Sequence, residues 1–561
     1  MKKQYPSIFN DVIGPVMRGP SSSHCAGSLR IGLMSRDLME GSIREALIEY
    51  DPNGALVTTH KSHGTDMGLY SGFLGYDTSD VKLLNYKREI KKAGISIKVK
   101  YVSYGAKHPN TYRITLKNDR WKHRVTALST GGGMIEIVDI DGAAVSMQGD
   151  LWETLVFVKP GAGRLVDEFA GLVEAEEISI RRANARNPIG RAVAPSTAAD
   201  GAERRPYQKI HAKACMLTEK SLKKCNNPFI LISTAKPIQA AVINKIKNHA
   251  SVNHVAVINP VLPVITRRNI KLPFRDFGEM IRFNKKRKLK LWELAVAYES
   301  ARGNISEAEV IGKMRAIVRI MTGAIEAGLK GTRFADRILP AQSLLFKKKM
   351  AGGKLINDPV LNRIILYVSA LMETKSSMGV IVAAPTAGAC GALPGAVIGT
   401  GRELNVPEEE VVRAMLAAGL IGVFITGEST FAAESAGCQA ECGSASGMAA
   451  AGLVHLAGGD LQQSMGAASM ALQNSFGMTC DPIANRVEAP CLGKNVMAAA
   501  NALSCANMAL AGYKHLIPFD EVLNAFDKAG RSLPRELRCT ALGGLSVTKT
   551  ARQIESSLSR G

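Results

Sequence analysis

A chain of 561 residues, 46% hydrophobic and 21% charged, is too long for one hydrophobic core and is expected to divide into about two to four domains. Its ten cysteines lack the density and regular pairing of a small secreted scaffold, and the opening "MKKQYPSIFNDVIGPVM" meets Asn10, Asp11 and Pro15 too early for a secretory leader, so an intracellular, cytoplasmic protein is expected. The net charge of +22 brings in anionic partners as a class.

Residues 1–150 alternate short β-rich stretches, among them "IREALIEYDP", "ISIKVKYVSY", "TYRITLKND" and "MIEIVDIDG", with glycines and helical segments. This is the pattern of an α+β domain. Two polar motifs stand out in it. "GPSSSHCAG" offers the hydroxyls of Ser21, Ser22 and Ser23, backbone N–H groups and the His24 imidazole to one carboxylate, although a serine at a helix start needs no ligand. "HKSHGTD" packs two histidines, a lysine and an aspartate into seven residues; an Asp near a His fixes its tautomer and raises its basicity, and a polar surface turn reads the same way. "STGGG" (129–133) lacks the spacing of a phosphate loop and reads as a tight turn or a close backbone approach to the site.

Residues 151–271 run strand, helix, strand in "TLVFVKP", "GRLVDEFAGLV" and "EISIRRANA". After a polar stretch from Asn187 to Lys224, the order repeats in "FILISTA", "PIQAAVINKIKNH" and "HVAVINPV". Two such halves predict a ferredoxin-like module split by an insertion. From Arg204 to Lys290 there are 20 Lys and Arg against 3 Asp and Glu. Without interleaved aromatics or an RNA module, this basic run reads as a solvated linker or subunit contact rather than a nucleic-acid site.

Residues 272–561 are rich in Ala, Gly, Leu and Met and predict an all-helical domain. The uncharged tracts Ser376–Gly401 and Ala414–Thr426 resemble membrane spans in composition, but the first is broken by Pro385 and Pro394, the second is too short, and buried helices are expected instead. "AAPTAGACG" reads as a loop whose Thr386 and N–H groups could grip an oxyanion, or as a plain helix break.

Five cysteines fall within residues 390–491. Cys438 opens "CQAEC", while Cys480 and Cys491 stand in "GMTCDPIANRVEAPC". No C-x2-C pair argues for zinc, and the bacterial ferredoxin run is absent. Single thiolates from separate turns suit a cluster in a deep pocket, and three buried core cysteines would have the same spacing. Cys442, four residues after Cys438, reads as a buried neighbour; Cys215, Cys225, Cys505 and Cys539 read as buried small hydrophobes.

Together these motifs resemble the iron-sulfur L-serine dehydratases. "IFNDVIGPVMRGPSSSHCAGSLRIG", "HKSHGTDMGLYSGFLG", "HPNTYRI" and "STGGGMIEI" look like the family's β part; "SSMGVIVAAPTAGACGALPG", "GCQAECGSASGMAAAGLVHLAGG", "GMTCDPIANRVEAPCLGKN" and "GGLSVTKT" look like its α part. The resemblance implies both parts fused in one chain, with the ferredoxin-like module where other members carry an ACT domain, and the 272–561 domain as the cluster-binding one. It implies Cys438, Cys480 and Cys491 as ligands of a 4Fe-4S cluster whose open iron acts as a Lewis acid on the β-hydroxyl. It implies a β-side wall of Ser21, Ser22, Ser23, His24, His63, Thr65 and Asp66. Facing it would be Thr386 and Gly388, with Lys494 and Asn495 orienting the last ligand or the substrate.

Among these, His63 is preferred as base, with His24, Ser22 and Lys494 as further catalytic candidates. The implied reaction converts L-serine to pyruvate and ammonia. A monovalent cation such as potassium, a homo-oligomer (a dimer), no pyridoxal phosphate and no membrane complete the expectation. The chain departs from the family at Cys25, where threonine is usual, at Cys442, where a small apolar residue is usual, in its basic middle region, and at its end, "SLSRG". L-Threonine or L-cysteine as substrate, a pyridoxal-phosphate dehydratase and an iron-sulfur RNA-binding or regulatory protein are the competing readings.

Overall fold

The computed structural model describes residues 5–159, 165–183, 228–267 and 270–558. Cys215, Cys225 and the 204–227 part of the basic run lie outside the described residues.

The first region is mixed α/β. After a short strand β1 (Val16–Met17) it builds one sheet from β2 (Glu45–Tyr50), β3 (Ser96–Tyr101), β4 (Thr111–Lys117), β5 (Lys122–Gly131), β6 (Met134–Ile140) and β7 (Ala143–Met147), in the order β3-β2-β4-β5-β6-β7. Only β2 and β3 run parallel. Strand alternation shows in β2: Ala46, Ile48 and Tyr50 are buried while Glu45 is exposed. Helices Gly27–Leu38 and Thr65–Leu74 cover this buried face through Ile31, Met34, Leu69 and Phe73.

Those two helices cross closely because both are glycine at the contact. A Cβ on Gly32 would stand 2.6 Å from the Leu69 carbonyl oxygen and 2.9 Å from the Gly72 Cα. The crossing matters for the site: each helix is preceded by one of the two polar motifs, so docking the helices brings "SSSH" and "HKSHG" together.

The middle region adds β8 (Trp152–Val158), β9 (Glu177–Arg181), β10 (Phe229–Thr234) and β11 (Val252–Ile258) as an antiparallel sheet in the order β11-β8-β10-β9. Helices Leu165–Ala170 and Ala240–Lys247 pack with Val156, Val158, Ile230 and Ile232. The alternate residues Leu155, Phe157, Phe229 and Leu231 join the core of the first sheet instead. Period-two alternation therefore makes β8 and β10 the partition between two cores.

The C-terminal region is helical, its one strand among the described residues being β12 (Ile381–Val382). Small residues let its helices touch at the backbone: a Cβ on Gly328 would stand 2.2 Å from the Ala370 carbonyl oxygen. The turn Ile8–Val12 from the start of the chain is part of this core. It lies against the helix Glu408–Glu428, where a Cβ on Gly422 would come to 2.1 Å from Val12. The buried Glu299 accepts from Ser7 Oγ (2.5 Å) and Ile8 N (2.8 Å), and β1 pairs with β12 through Val16 and Val382.

The helix Glu408–Glu428 is long and apolar enough to cross a membrane by length and composition, but 78% of its apolar window is buried inside the protein. The basic "NKKRKLK" is an exposed turn between helices Phe277–Asn284 and Leu291–Gly303, and the Arg287 guanidinium lies 3.9 Å over the Phe283 ring.

Candidate active site

Three short segments with little regular structure carry the cysteines. Cys438 precedes a π-helical turn, Gln439–Gly443, that leads into the buried helix Ser444–Leu456. Cys480 lies in the loop after helix Leu461–Gln473 and is fixed by backbone hydrogen bonds on both sides, from its N–H to Leu537 O (2.8 Å) and from Cys539 N–H to its carbonyl (3.0 Å). Cys491 opens helix Cys491–Leu510. All three are buried.

The ligand atoms of Cys438, Cys480 and Glu441 lie within 4.8 Å of one another, and Glu441, Cys480 and Cys491 line one cavity. Hydrogen bonds from the thiols of Cys442 and Cys480 hold the Cys438 thiol well below its ordinary range. The same bond to Cys438 pushes Cys480 up, and burial does so for Cys491. A thiolate with two thiol donors in a buried pocket is a donor set chemically suited to an iron-sulfur cluster.

Two cysteines play more than the role expected of them. Cys442 is buried as expected, but it hydrogen-bonds to Cys438 instead of only filling an apolar position. Cys539, expected to be a buried small hydrophobe, is buried but hydrogen-bonds to Cys480 and lines the cavity. Sequence spacing hid it, because the contact comes from the paired backbones of Cys480 and Arg538 across the loop.

The opposite wall is the serine loop, itself a π-helical turn (Ser22–Ala26) before helix Gly27–Leu38. Ser21 and Ser23 line the cavity. Ser22 turns its Oγ to the Ala387 N–H (3.2 Å), clasping the loop that carries Thr386 and Gly388. His24 is buried behind them, with Nδ1 3.0 Å from Ser21 Oγ and Nε2 2.9 Å from Thr59 Oγ1. The "STGGG" turn joins β5 to β6 and buttresses this loop: Ser129 Oγ donates to Ser23 O (2.7 Å), and the buried Arg30 donates to Gly133 O (2.6 Å).

His63 reaches the cavity, its ring edge-on to His24 with centroids 4.9 Å apart. Its Nε2 is buried with no hydrogen-bond partner. Burial depresses both imidazoles to about 3, and a charge is further disfavoured on His24 by His60 and on His63 by His24. His63 is therefore a neutral imidazole with an unpartnered Nε2 at the cavity.

The remaining expected residues divide. Gly388 faces the cavity, and a Cβ there would stand 2.8 Å from Glu441 Oε1; Thr386 donates to that same oxygen (2.6 Å). Asn495 is a brace: its Oδ1 accepts from Gly391 and Ala392 N–H (3.1 and 3.0 Å), and its Nδ2 donates to Gly388 O and Cys491 O. Lys494 binds Asp481 (2.7 Å) and Thr479 O (2.6 Å). Burial works against its charge, but the Cys438 thiolate and Asp481 outweigh that and raise it. Asp66 pairs with His60 Nδ1 (2.8 Å), not with His63, and Thr65 lies beside it at the helix start. Thr65 and Asp66 thus sit behind the wall.

Three charged residues were missed. Glu434 and Glu441 both line the cavity, and Glu441 Oε2 lies 3.8 Å from Cys438 Sγ. Burial pushes Glu441 well above the usual carboxylate range. Lys375, fully buried in helix Pro359–Ser376, donates to the carbonyl of Val487, whose side of the loop also faces the cavity. The signal for Glu441 is its place in "CQAEC", three residues after Cys438; for Glu434 and Lys375, within ordinary helical runs, there is none.

The family model described as serine dehydratase alpha chain matches residues 286–546, and that described as serine dehydratase beta chain matches residues 11–139. A protein of Bacillus subtilis (strain 168) named probable L-serine dehydratase, alpha chain, is 34% identical over 288 residues, which is 51% of this chain and 96% of that protein. The L-serine dehydratase alpha chain of Peptoniphilus asaccharolyticus is 35% identical over 277 residues, 49% of this chain and 95% of its own. L-serine dehydratase TdcG of Escherichia coli (strain K12) is 31% identical over 287 residues, covering 50% of this chain and 63% of that protein.

Proposed function

This chain belongs to the serine dehydratase family, with matches to both the alpha- and the beta-chain models in one polypeptide, and from that membership we propose that it is an L-serine dehydratase, releasing pyruvate and ammonia. The observation that carries the reading is the meeting, in one buried cavity, of Cys480 and Cys491 from the helical region with Ser21, Ser23 and His63 from the α/β region, the Cys438 sulfur lying within 4.8 Å of the Cys480 sulfur at its edge.

Cys438, Cys480 and Cys491 are the residues that would hold a 4Fe-4S cluster, supported by their shared burial and the thiolate character of Cys438. Such a cluster would supply Lewis acidity for the departing hydroxyl. The chain's own residues do the rest. The Ser21 and Ser23 hydroxyls orient the substrate, and the clasp from Ser22 to Ala387 keeps the two walls together and water out. His63 Nε2 takes the proton from Cα; the C–H electron pair becomes the Cα=Cβ bond, the Cβ–O bond breaks, and the oxygen leaves as water once protonated. Aminoacrylate then tautomerises and hydrolyses to pyruvate and ammonia. Glu441, whose carboxyl burial pushes well above the usual carboxylate range and which lies close to Cys438, is placed to hold the leaving group's proton.

Residues 1–150, 151–271 and 272–561 are proposed as the β-type domain, a ferredoxin-like, ACT-like regulatory module and the α-type catalytic domain. The strand order β11-β8-β10-β9, with one helix after β8 and one after β10, supports the middle assignment. A cytoplasmic, homodimeric enzyme and a potassium requirement complete the proposal.

Anaerobic protein offered L-serine, L-threonine and L-cysteine in turn tests the substrate. Keto-acid release fastest from L-serine supports the proposal, and turnover of another of the three with none of L-serine overturns it.

A further inference from the structure

Glu434 has no assigned task. It lies in the short helix Ala433–Ala436, just before Cys438, and its side chain is 4% exposed yet lines the cavity. Its Oε1 accepts from Ser23 Oγ (3.4 Å) and lies 3.6 Å from His24 Nδ1. Among the described residues no lysine or arginine pairs with it, and none lines the cavity. Burial depresses the imidazoles that feel its charge, His24 and His63 to about 3 and His108 to about 4, so none supplies a cation near neutral pH. The cavity's other carboxylate, Glu441, is taken up by Thr386 and Cys438.

A buried carboxylate without a cation is costly to keep and calls for one from outside. The orphaned Nε2 of His63 marks the same cavity as awaiting a polar ligand. Of the groups on a β-hydroxy amino acid, only the α-ammonium is cationic. Resting on the dehydratase reading above, we propose that Glu434 receives the α-ammonium of the substrate and is the residue that makes the enzyme select amino acids over the corresponding hydroxy acids. The ammonium takes the place of the Ser23 hydroxyl on Glu434, which leaves the Ser21 and Ser23 hydroxyls to the substrate carboxylate and holds the Cα–H between the two anchors facing His63.

The test compares Glu434→Gln with the wild type after both are shown to carry the same iron content. L-Alanine and L-lactate serve as competitive probes: they differ only in ammonium against hydroxyl, and neither has a β-leaving group. The wild type should prefer alanine, and E434Q should lower the alanine-to-lactate preference by about 10- to 100-fold, the worth of one hydrogen bond to a charged group, while raising KM for L-serine. An unchanged preference, or parallel weakening of both probes, overturns the proposal, since a merely structural role weakens them alike. If E434Q does not retain iron, Glu434→Asp carries the test, with an intermediate preference expected and an unchanged one overturning it. Failure of the wild type to release pyruvate from L-serine would instead count against the dehydratase reading itself.

Discussion

Cys480 sits between two thiols, Cys438 on one side and Cys539 on the other, and its loop is pinned by backbone bonds to Leu537 and Cys539. Cys480→Ser should therefore fold, with near-native circular dichroism, but lose most of its iron on anaerobic purification; unchanged iron content would remove Cys480 from the ligand set. His63→Asn should keep iron and lower kcat by about 10²- to 10⁴-fold, the usual contribution of a general base. Because burial holds His63 at about 3, its free-base form persists as pH falls through 6.5. The kcat/KM profile of the wild type should then show no acid limb near 6.5, whereas a limb there that vanishes in H63N would keep His63 as the base and contradict its depression by burial. At this scale the cysteines and the polar motifs were legible because each is an unusual residue type in a small-residue or glycine context. The partners were not: the aspartate of "HKSHGTD" pairs with His60, and Glu434 meets Ser23 from 411 residues away.

The crossing of helices Gly27–Leu38 and Thr65–Leu74 holds the serine loop against His63. A Cβ on Gly68 would stand 2.1 Å from the Cys25 carbonyl oxygen, so Gly68→Ala must push the helices apart. Overpacking of this kind costs about 1–3 kcal/mol. G68A should lower the thermal midpoint and also reduce kcat/KM, because the displaced element carries the serine loop and His63. A midpoint within 1 °C of wild type, about the scatter of such a measurement against the several degrees expected, would show that the crossing has slack. Element types and order were readable from period-two and helical patterns, including the paired strand-helix-strand halves of the middle region. The face each strand shows was not: nothing local in "TLVFV" says that Leu155 joins one core and Val156 the other.

Across the whole molecule, the division into an α/β and a helical region hides one crossing of the chain. Residues Ile8–Met17 precede the sheet in sequence but pack in the helical core, where Ser7 and Ile8 bind Glu299 and Asn10 exchanges hydrogen bonds with Val264 (2.7 and 3.0 Å). Composition could not reveal this, since "IFNDVIGPVM" is apolar enough for either core. The segment ties the two walls of the cavity from behind. Glu299→Ala would leave Ser7 Oγ and the Ile8 N–H buried without their acceptor, a loss of about 1–3 kcal/mol. It should increase proteolytic cleavage near the N-terminus; a cleavage pattern like the wild type's would show that the tie is dispensable.

The central claim is that one buried cavity, built by both regions, uses an iron-sulfur cluster to dehydrate L-serine. Its most direct test is the rate of pyruvate formation from L-serine in anaerobic protein reconstituted to graded iron and sulfide content. Iron-dependent elimination predicts a rate that rises in proportion to iron up to four per chain and is abolished in C480S. A rate independent of iron content, or one retained in iron-free protein, would contradict it.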